Sequence, residues 1–96
     1  MPRVATAFQE QCSKTLLAKL QTLGVTPISW VFKDGEEESF YEGDFGSVKL
    51  WIYQDMADLQ SKQSHKIYEK PDYDSEDDLI SAFVKGVIDD LAASRL

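Results

Sequence analysis

The spacing of apolar residues changes twice along this 96-residue chain, and the change limits the folds it can adopt. Both ends carry apolar side chains at helical spacing, whereas the middle alternates apolar and polar residues as a half-buried strand does. Two amphipathic helices need an apolar surface to cover, and one face of an alternating sheet supplies it. The sequence therefore predicts one α+β domain over residues 1–96, a two-layer sandwich of helix, three or four antiparallel strands in a meander, and helix, with both helices on one face of the sheet.

The helix at each end has its own start or stop signal. Gly24 follows the last apolar position of the first helix, where a glycine closes the helix in a left-handed conformation. Ser75 is an N-cap for the second helix, and Asp78 stands three residues later, at the reciprocal position of a capping box. Small residues at 82 and 86 border the second stripe and would let another backbone approach closely. The first helix is predicted over about residues 4–23 with the stripe Ala5, Phe8, Cys12, Leu16, Leu20 and Leu23, and the second carries the stripe Leu79, Ile80, Phe83, Val84, Val87, Ile88 and Leu91.

A hairpin is predicted after the first helix. Its first strand starts at Pro27 and puts Ile28, Trp30 and Phe32 on one face. Asp34-Gly35 favours a two-residue turn, followed by a return strand over about residues 37–42. A two-residue loop would place Trp30 opposite position 39, and a loop longer by one would place it opposite position 40. The sequence leaves both registers open.

The clearest strand follows the hairpin. Val48, Leu50 and Ile52 face one way, and the intervening residues Lys49, Trp51 and Tyr53 face the other. Residues 54–64 are polar, and three interpretations stay open: an extension of this strand, a turn of helix, or a loop. A further strand over about residues 65–70 is expected to run antiparallel to the clearest strand and to end at Pro71.

Charge is segregated along the chain, whose net charge is −7. Residues 34–44, the first acidic segment, contain six acidic and no basic residues. Residues 69–78, the second acidic segment, contain six acidic residues and Lys70. The other 75 residues contain five acidic and nine basic residues. Such segregation creates an electric field that repels nucleic acid and attracts a basic protein.

Residues that could carry chemistry do not form a recognisable site in the sequence. Cys12 lies in the first helical stripe, which predicts a buried, inert thiol, and a single cysteine forms no internal disulfide. His65 has no nucleophile or metal-ligand companion near it in the sequence. A calcium loop counted from Asp72 would need Gly at its sixth position and Glu at its twelfth, where this chain has Asp77 and Phe83. With no phosphate loop, nucleophile elbow or zinc motif, we expect no enzyme activity, cofactor or bound metal.

No membrane association is expected. No segment approaches the roughly 18–20 apolar residues that a membrane span needs. Residues 1–11 lack the continuous apolar stretch of a signal peptide, which together with the single cysteine predicts a cytoplasmic protein.

These observations favour a small acidic protein-binding module, one that inhibits or neutralises a basic partner. Its acidic segments would speed association, and its aromatic residues would supply most of the binding energy. The Glu36–Glu38 run has a second interpretation, a charged strand edge that prevents aggregation. Two other functions stay open: a homodimer formed through Trp51 and Tyr53, or a small ligand-binding protein or enzyme with a pocket between helices and sheet. The candidate partner-binding residues are Glu36, Glu37, Glu38, Trp51, Tyr53, Asp72 and Asp74.

Overall fold

A computed structural model of the chain describes residues 4–94. The strands pair antiparallel in the order in which they occur along the chain, so that β3 is central. This confirms the predicted α+β class and the meander, with five strands where three or four were expected. The elements are α1 (Ala7–Thr22), β1 (Ser29–Asp34), β2 (Ser39–Asp44), β3 (Val48–Ile52), β4 (Met56–Ser61), β5 (His65–Glu69), a 3-10 turn (Lys70–Asp72) and α2 (Glu76–Ser94).

Both helices pack on the same face of the sheet, as predicted. On β3, Val48, Leu50 and Ile52 have no exposed surface, because the helices cover that side of the strand. The Trp30 indole Nε1, on β1, donates a hydrogen bond to Ser13 Oγ of α1 at 3.1 Å. The two helical stripes and the inward residues of β3 and β4 form one core, which contains Phe8, Cys12, Leu16, Leu20, Val48, Leu50, Ile52, Ala57, Leu59, Tyr68, Leu79, Ile80, Phe83, Val84, Val87 and Leu91.

The ends of α1 are set by local hydrogen bonds rather than by its apolar stripe. Thr6 and Gln9 form a reciprocal capping box, so the helix begins at Ala7 and not near residue 4. Gly24 has a φ of +72°, the left-handed C′ conformation that its position predicts. Leu23 was expected in the core, but it follows the last helical residue and is 51% exposed.

Gln9 also joins α1 to the sheet. Its side chain has no exposed surface. Its Nε2 donates to the backbone carbonyls of Ser39 at 2.8 Å and Ile52 at 3.2 Å, while its Oε1 accepts from the backbone N–H of Thr6. One buried amide therefore fixes the first turn of α1 to β2 and β3 at one end of the sheet, because each lost partner would leave a buried polar group unsatisfied.

The first hairpin differs from its prediction. Gly35 does not have a positive φ, which a type I′ turn at Asp34-Gly35 requires. The connection is a four-residue loop, closed by a hydrogen bond from Gly35 N–H to the Glu38 carbonyl at 3.1 Å. The return strand consequently starts at Ser39, and Trp30 pairs with Gly43. Both proposed registers are wrong, and Ile28 lies before β1 and is 74% exposed instead of facing the core.

Residues 54–64 contain a separate strand, which none of the three open interpretations included. Tyr53 N–H donates to the Met56 carbonyl at 2.8 Å, and this tight turn reverses the chain into β4. Only Ala57 and Leu59 face the core from β4, so its alternation is weak in the sequence. Because β4 lies between β3 and β5, the strand at His65–Glu69 pairs with β4 and not with β3.

The N-terminus of α2 follows the sequence closely. Ser75 Oγ accepts a hydrogen bond from Asp78 N–H at 3.1 Å, which confirms the predicted N-cap. Gly86 lies where α2 crosses the sheet, and a Cβ atom added there would stand 2.1 Å from the Tyr68 hydroxyl oxygen. The small residue at 86 therefore sets how closely α2 approaches β5.

We predict that Gly86→Ala destabilises the protein by about 1–3 kcal/mol through this overlap, although alanine is the better helix former. In a Tyr68→Phe background the overlapping oxygen is gone, and the same substitution should cost at least about 1 kcal/mol less. Urea unfolding of the four proteins measures the coupling. An unchanged cost in the Tyr68→Phe background would contradict the close approach.

Candidate interaction surface

The loop residues of the first acidic segment and the whole second acidic segment lie at one end of the sandwich, whereas Asp44 lies at the other. The β1–β2 loop, the β3–β4 turn and the end of β5 all fall on the same side of the paired strands. We call residues 34–38, 53–55 and 69–78 the acidic end. Within these residues Lys70 is the one basic residue, against eleven carboxylates: Asp34, Glu36, Glu37, Glu38, Asp55, Glu69, Asp72, Asp74, Glu76, Asp77 and Asp78.

Side-chain contacts join the parts of the acidic end across the sheet. Glu38 Oε1 accepts a hydrogen bond from the Gln54 backbone N–H at 3.2 Å, which links the first loop to the β3–β4 turn. Lys70 Nζ contacts Glu76 at 2.7 Å and Asp55 at 3.7 Å, which links that turn to α2. The hydrogen bond that the Lys70 ammonium donates to Glu76 raises the pKa of Lys70, and Asp55 adds to the effect. The acidic end is therefore connected across the width of the sheet.

Both helices begin at the acidic end. Gln9 ties the first turn of α1 to Ser39 and Ile52, and α2 starts directly after the 3-10 turn that follows β5. The two helices consequently run parallel, with their positive N-terminal dipole ends near the carboxylates. The two helix dipoles offset part of the repulsion among the acidic groups. The effect is most direct for Glu76, Asp77 and Asp78, which lie in the first turn of α2.

The face of the sheet opposite the helices is uncovered. We call it the open face. Alternation and register place on it the side chains that point away from the core. Two of its aliphatic side chains, Val31 and Ile67, are 41% and 48% exposed. Across the middle of the open face, five strands contribute one row of neighbours: Val31, Glu42, Trp51, Asp58 and Ile67.

Trp51 stands at the centre of the open face with an acidic neighbour on each side. Its indole Nε1 donates to Glu42 Oε2 at 3.0 Å, and Lys33 Nζ contacts Glu42 Oε1 at 3.1 Å. The hydrogen bonds from Lys33 and then Trp51 lower the pKa of the Glu42 carboxyl. On the other side, Asp58 pairs in register with Trp51. Trp51 is half-buried, so part of its ring faces solvent.

Tyr53 adjoins Trp51 at the acidic end of the open face. Its ring lies 5.3 Å from that of Phe40, centroid to centroid. Burial is the main cause that raises the pKa of the Tyr53 phenol, and the charges of Asp58, Glu38 and Glu42 raise it further. The hydroxyl therefore stays protonated in a negative environment. We call the following residues the Trp51 cluster: Trp51, Tyr53, Glu38, Glu42 and Asp58.

His65 has a partner that the sequence did not indicate. Its Nε2 lies 2.5 Å from Asp58 Oδ1 on the open face, and half of the imidazole side chain is exposed. Among residues 4–94 no group of three or more His, Cys, Asp or Glu side chains is arranged to hold a metal ion. Cys12 is buried in the core, which raises the pKa of its thiol to about 12.

The structure brings only some of the predicted site residues together. Glu38, Trp51 and Tyr53 lie in the Trp51 cluster, whereas Glu36 and Glu37 are exposed in the β1–β2 loop. Asp72 and Asp74 lie at the same end but at the opposite edge of the sheet, roughly 19 Å across four strand spacings. Glu42 and Asp58, the two acidic neighbours of Trp51 on the open face, were not predicted as site residues. A correct register for β2 and the recognition of β4 would have identified them.

The larger cavities lie elsewhere. One of about 600 Å³ is an open groove between the outer sides of α1 and α2, lined in part by Ala18, Val84 and Ile88. Another of about 540 Å³ lies at the far end of the sandwich, between the β4–β5 turn and the end of α2. The second of these is lined by Asp90 and Ser94 of α2 and by Lys66 on the sheet, so it is where a pocket of the ligand-binding alternative would lie. In residues 4–94 no helix is long and apolar enough to cross a membrane.

No protein-family model, curated protein or solved structure matches this chain.

Asp58→Asn should lower the pKa of Tyr53 while leaving it above its ordinary value, because burial is the larger cause and remains. The raised pKa means that the protonated phenol of Tyr53 contributes to the free energy of unfolding. This contribution is fully present below the ordinary tyrosine pKa of 10, and it is lost as the pH rises through the higher pKa of the folded state. An NMR titration of the Tyr53 ring measures this pKa. Asp89→Asn, an exposed site near the far end of α2, serves as the remote control, and equal effects of the two substitutions would contradict the assignment.

Proposed function

We propose that this chain is a non-catalytic protein-binding module whose acidic end and open face together engage a basic partner protein. The observation that carries the proposal is that the Trp51 cluster adjoins the acidic end and shares Glu38 with its eleven carboxylates. The carboxylates would steer a positively charged partner, and the aromatic rings would provide the desolvated contact. An inhibitor or neutraliser of a basic protein fits this arrangement.

Two features support this function over nucleic-acid or membrane binding. The acidic end repels phosphate groups, whether they belong to nucleic acid or to lipid headgroups. The uncovered aromatic side chains, by contrast, are of the type that is enriched at the centre of protein interfaces.

We also propose a cytoplasmic location, because the one thiol, Cys12, is buried within the core and the fold uses no disulfide.

A homodimer is the second candidate, and the open face supports it. Val31 and Ile67 stand at the two ends of the middle row, symmetrically about Trp51, so two copies could bury these three side chains against one another. In that case Trp51→Glu should convert a dimer that persists on dilution into a folded monomer. Light scattering on a sizing column distinguishes this outcome from a chain that is monomeric at all concentrations.

The main proposal is tested by matched charge variants. The chain is first used as bait in extract of its source cells, and a captured protein is purified. Glu36→Gln with Glu37→Gln removes two charges from the acidic end, and Asp89→Asn with Asp90→Asn removes two from α2 near the opposite end. At low ionic strength we expect the first pair to slow association with this partner by about threefold to tenfold, and the second pair to leave it nearly unchanged.

Two results would contradict the proposal. One is a captured partner without a basic surface. The other is an equal loss of association rate in both charge variants, which would show that only net charge matters. A Trp51→Ala variant completes the test, since it should accelerate dissociation while leaving the association rate nearly constant.

A further inference from the structure

The Trp51 cluster combines aromatic rings with carboxylates, and together these favour a cationic ligand group. Trp51 and Tyr53 are two residues apart on one face of the sheet, so their Cα atoms stand about 7 Å from each other along the chain. Carboxylates flank the rings on both neighbouring strands, from Glu42 on β2 and Asp58 on β4. An aromatic face attracts a cation, and carboxylates beside it add charge-assisted hydrogen bonds.

Glu42 is fully engaged by the chain itself, because its two oxygens bind Lys33 and the Trp51 indole, whereas Glu38 and Asp58 are only partly engaged. Contacts within the protein use Oε1 of Glu38, which accepts from Gln54 N–H, and Oδ1 of Asp58, which pairs with His65. Lys33 already places an ammonium group against Glu42, at the β1 side of the cluster. The charges of Glu38, Glu42 and Asp58 all act on the Tyr53 hydroxyl, so the negative potential converges on the ring at the acidic end.

We propose, building on the function proposed above, that the Trp51 cluster is a subsite for an arginine side chain of the partner protein. A planar guanidinium stacks on the exposed part of an aromatic ring and presents donors along its edges to carboxylates on either side. A lysine ammonium is a compact, strongly hydrated point charge. It therefore gains less from stacking on an aromatic ring and from carboxylates placed on two sides of it. The arginine would lie between β2 and β4, with the rest of the partner extending over the acidic end.

The test uses N-acetyl-L-argininamide as the probe and the whole protein, with the indole and tyrosine ring resonances followed by NMR. N-acetyl-L-citrullinamide is the neutral isostere, and N-acetyl-L-lysinamide is the alternative cation. We expect saturable shifts of the Trp51 indole and the Tyr53 ring. The Trp30 indole, which is bonded to Ser13 under the helices, should stay still.

Variants assign the binding to the carboxylates. Asp58→Asn should weaken argininamide binding by about threefold to tenfold. Asp89→Asn, which makes the same substitution near the far end of α2, should leave it unchanged. Because Asp58→Asn also alters the contact with His65, a His65→Gln variant is measured beside it, and it should retain binding if the carboxylate itself is the acceptor. Thermal unfolding by circular dichroism verifies that each variant is folded.

Three outcomes would overturn the subsite. Equal affinity for citrullinamide would show that no cation is recognised, and equal affinity for lysinamide would show that the guanidinium is not selected. Shifts confined to residues 34–38 and 69–78 would place the cation at the acidic end and not at Trp51. Failure of the subsite can be told apart from failure of the proposed function. If a basic partner is captured and its association depends on Glu36 and Glu37, but argininamide does not shift the Trp51 and Tyr53 resonances, only the arginine subsite is wrong.

Discussion

The alternation of β3 determines which side of the sheet the helices cover, and most of the structure depends on it. Val48, Leu50 and Ile52 give the middle strand one wholly apolar side, and α1 and α2 are both drawn to it by the same hydrophobic effect. Their parallel packing there leaves no helix for the other side. The exposure of Trp51 is thus a direct consequence of how the core is built.

The same arrangement concentrates charge along the strand direction. An antiparallel meander of five strands brings its first loop, its third turn and its exit to one end, and the chain has placed acidic residues in all three. Crowded carboxylates repel one another and so lower stability. Lys70, which bridges Asp55 and Glu76, and the two helix N-termini offset part of this repulsion. A basic partner would relieve more of it on binding.

Local signals predicted the helices and β3 because those segments carry a strong period and, at Gly24 and Ser75, cap chemistry that acts within a few residues. The first hairpin was mispredicted because its register depends on tertiary contacts, the pairing of Gly43 with Trp30 among them, and not on the Asp34-Gly35 pair. β4 was missed since only two of its residues reach the core. The sequence thus predicted Trp51 and Tyr53 as site residues. Glu42 and Asp58 were identified as their neighbours only from the strand pairing.

We infer that the open face and the acidic end form one solvent-exposed, negatively charged surface. Broadening of NMR resonances by small nitroxides tests it directly, because a neutral nitroxide reports exposure and a cationic one reports potential as well. The neutral probe should broaden Trp51, Val31 and Ile67 on the open face but spare Leu50 in the core. The cationic probe should broaden the open face and residues 34–38 and 69–78 more than an anionic probe of the same size does. Protection of Trp51 from the neutral probe in the monomer, or equal effects of the two charged probes, would contradict the account.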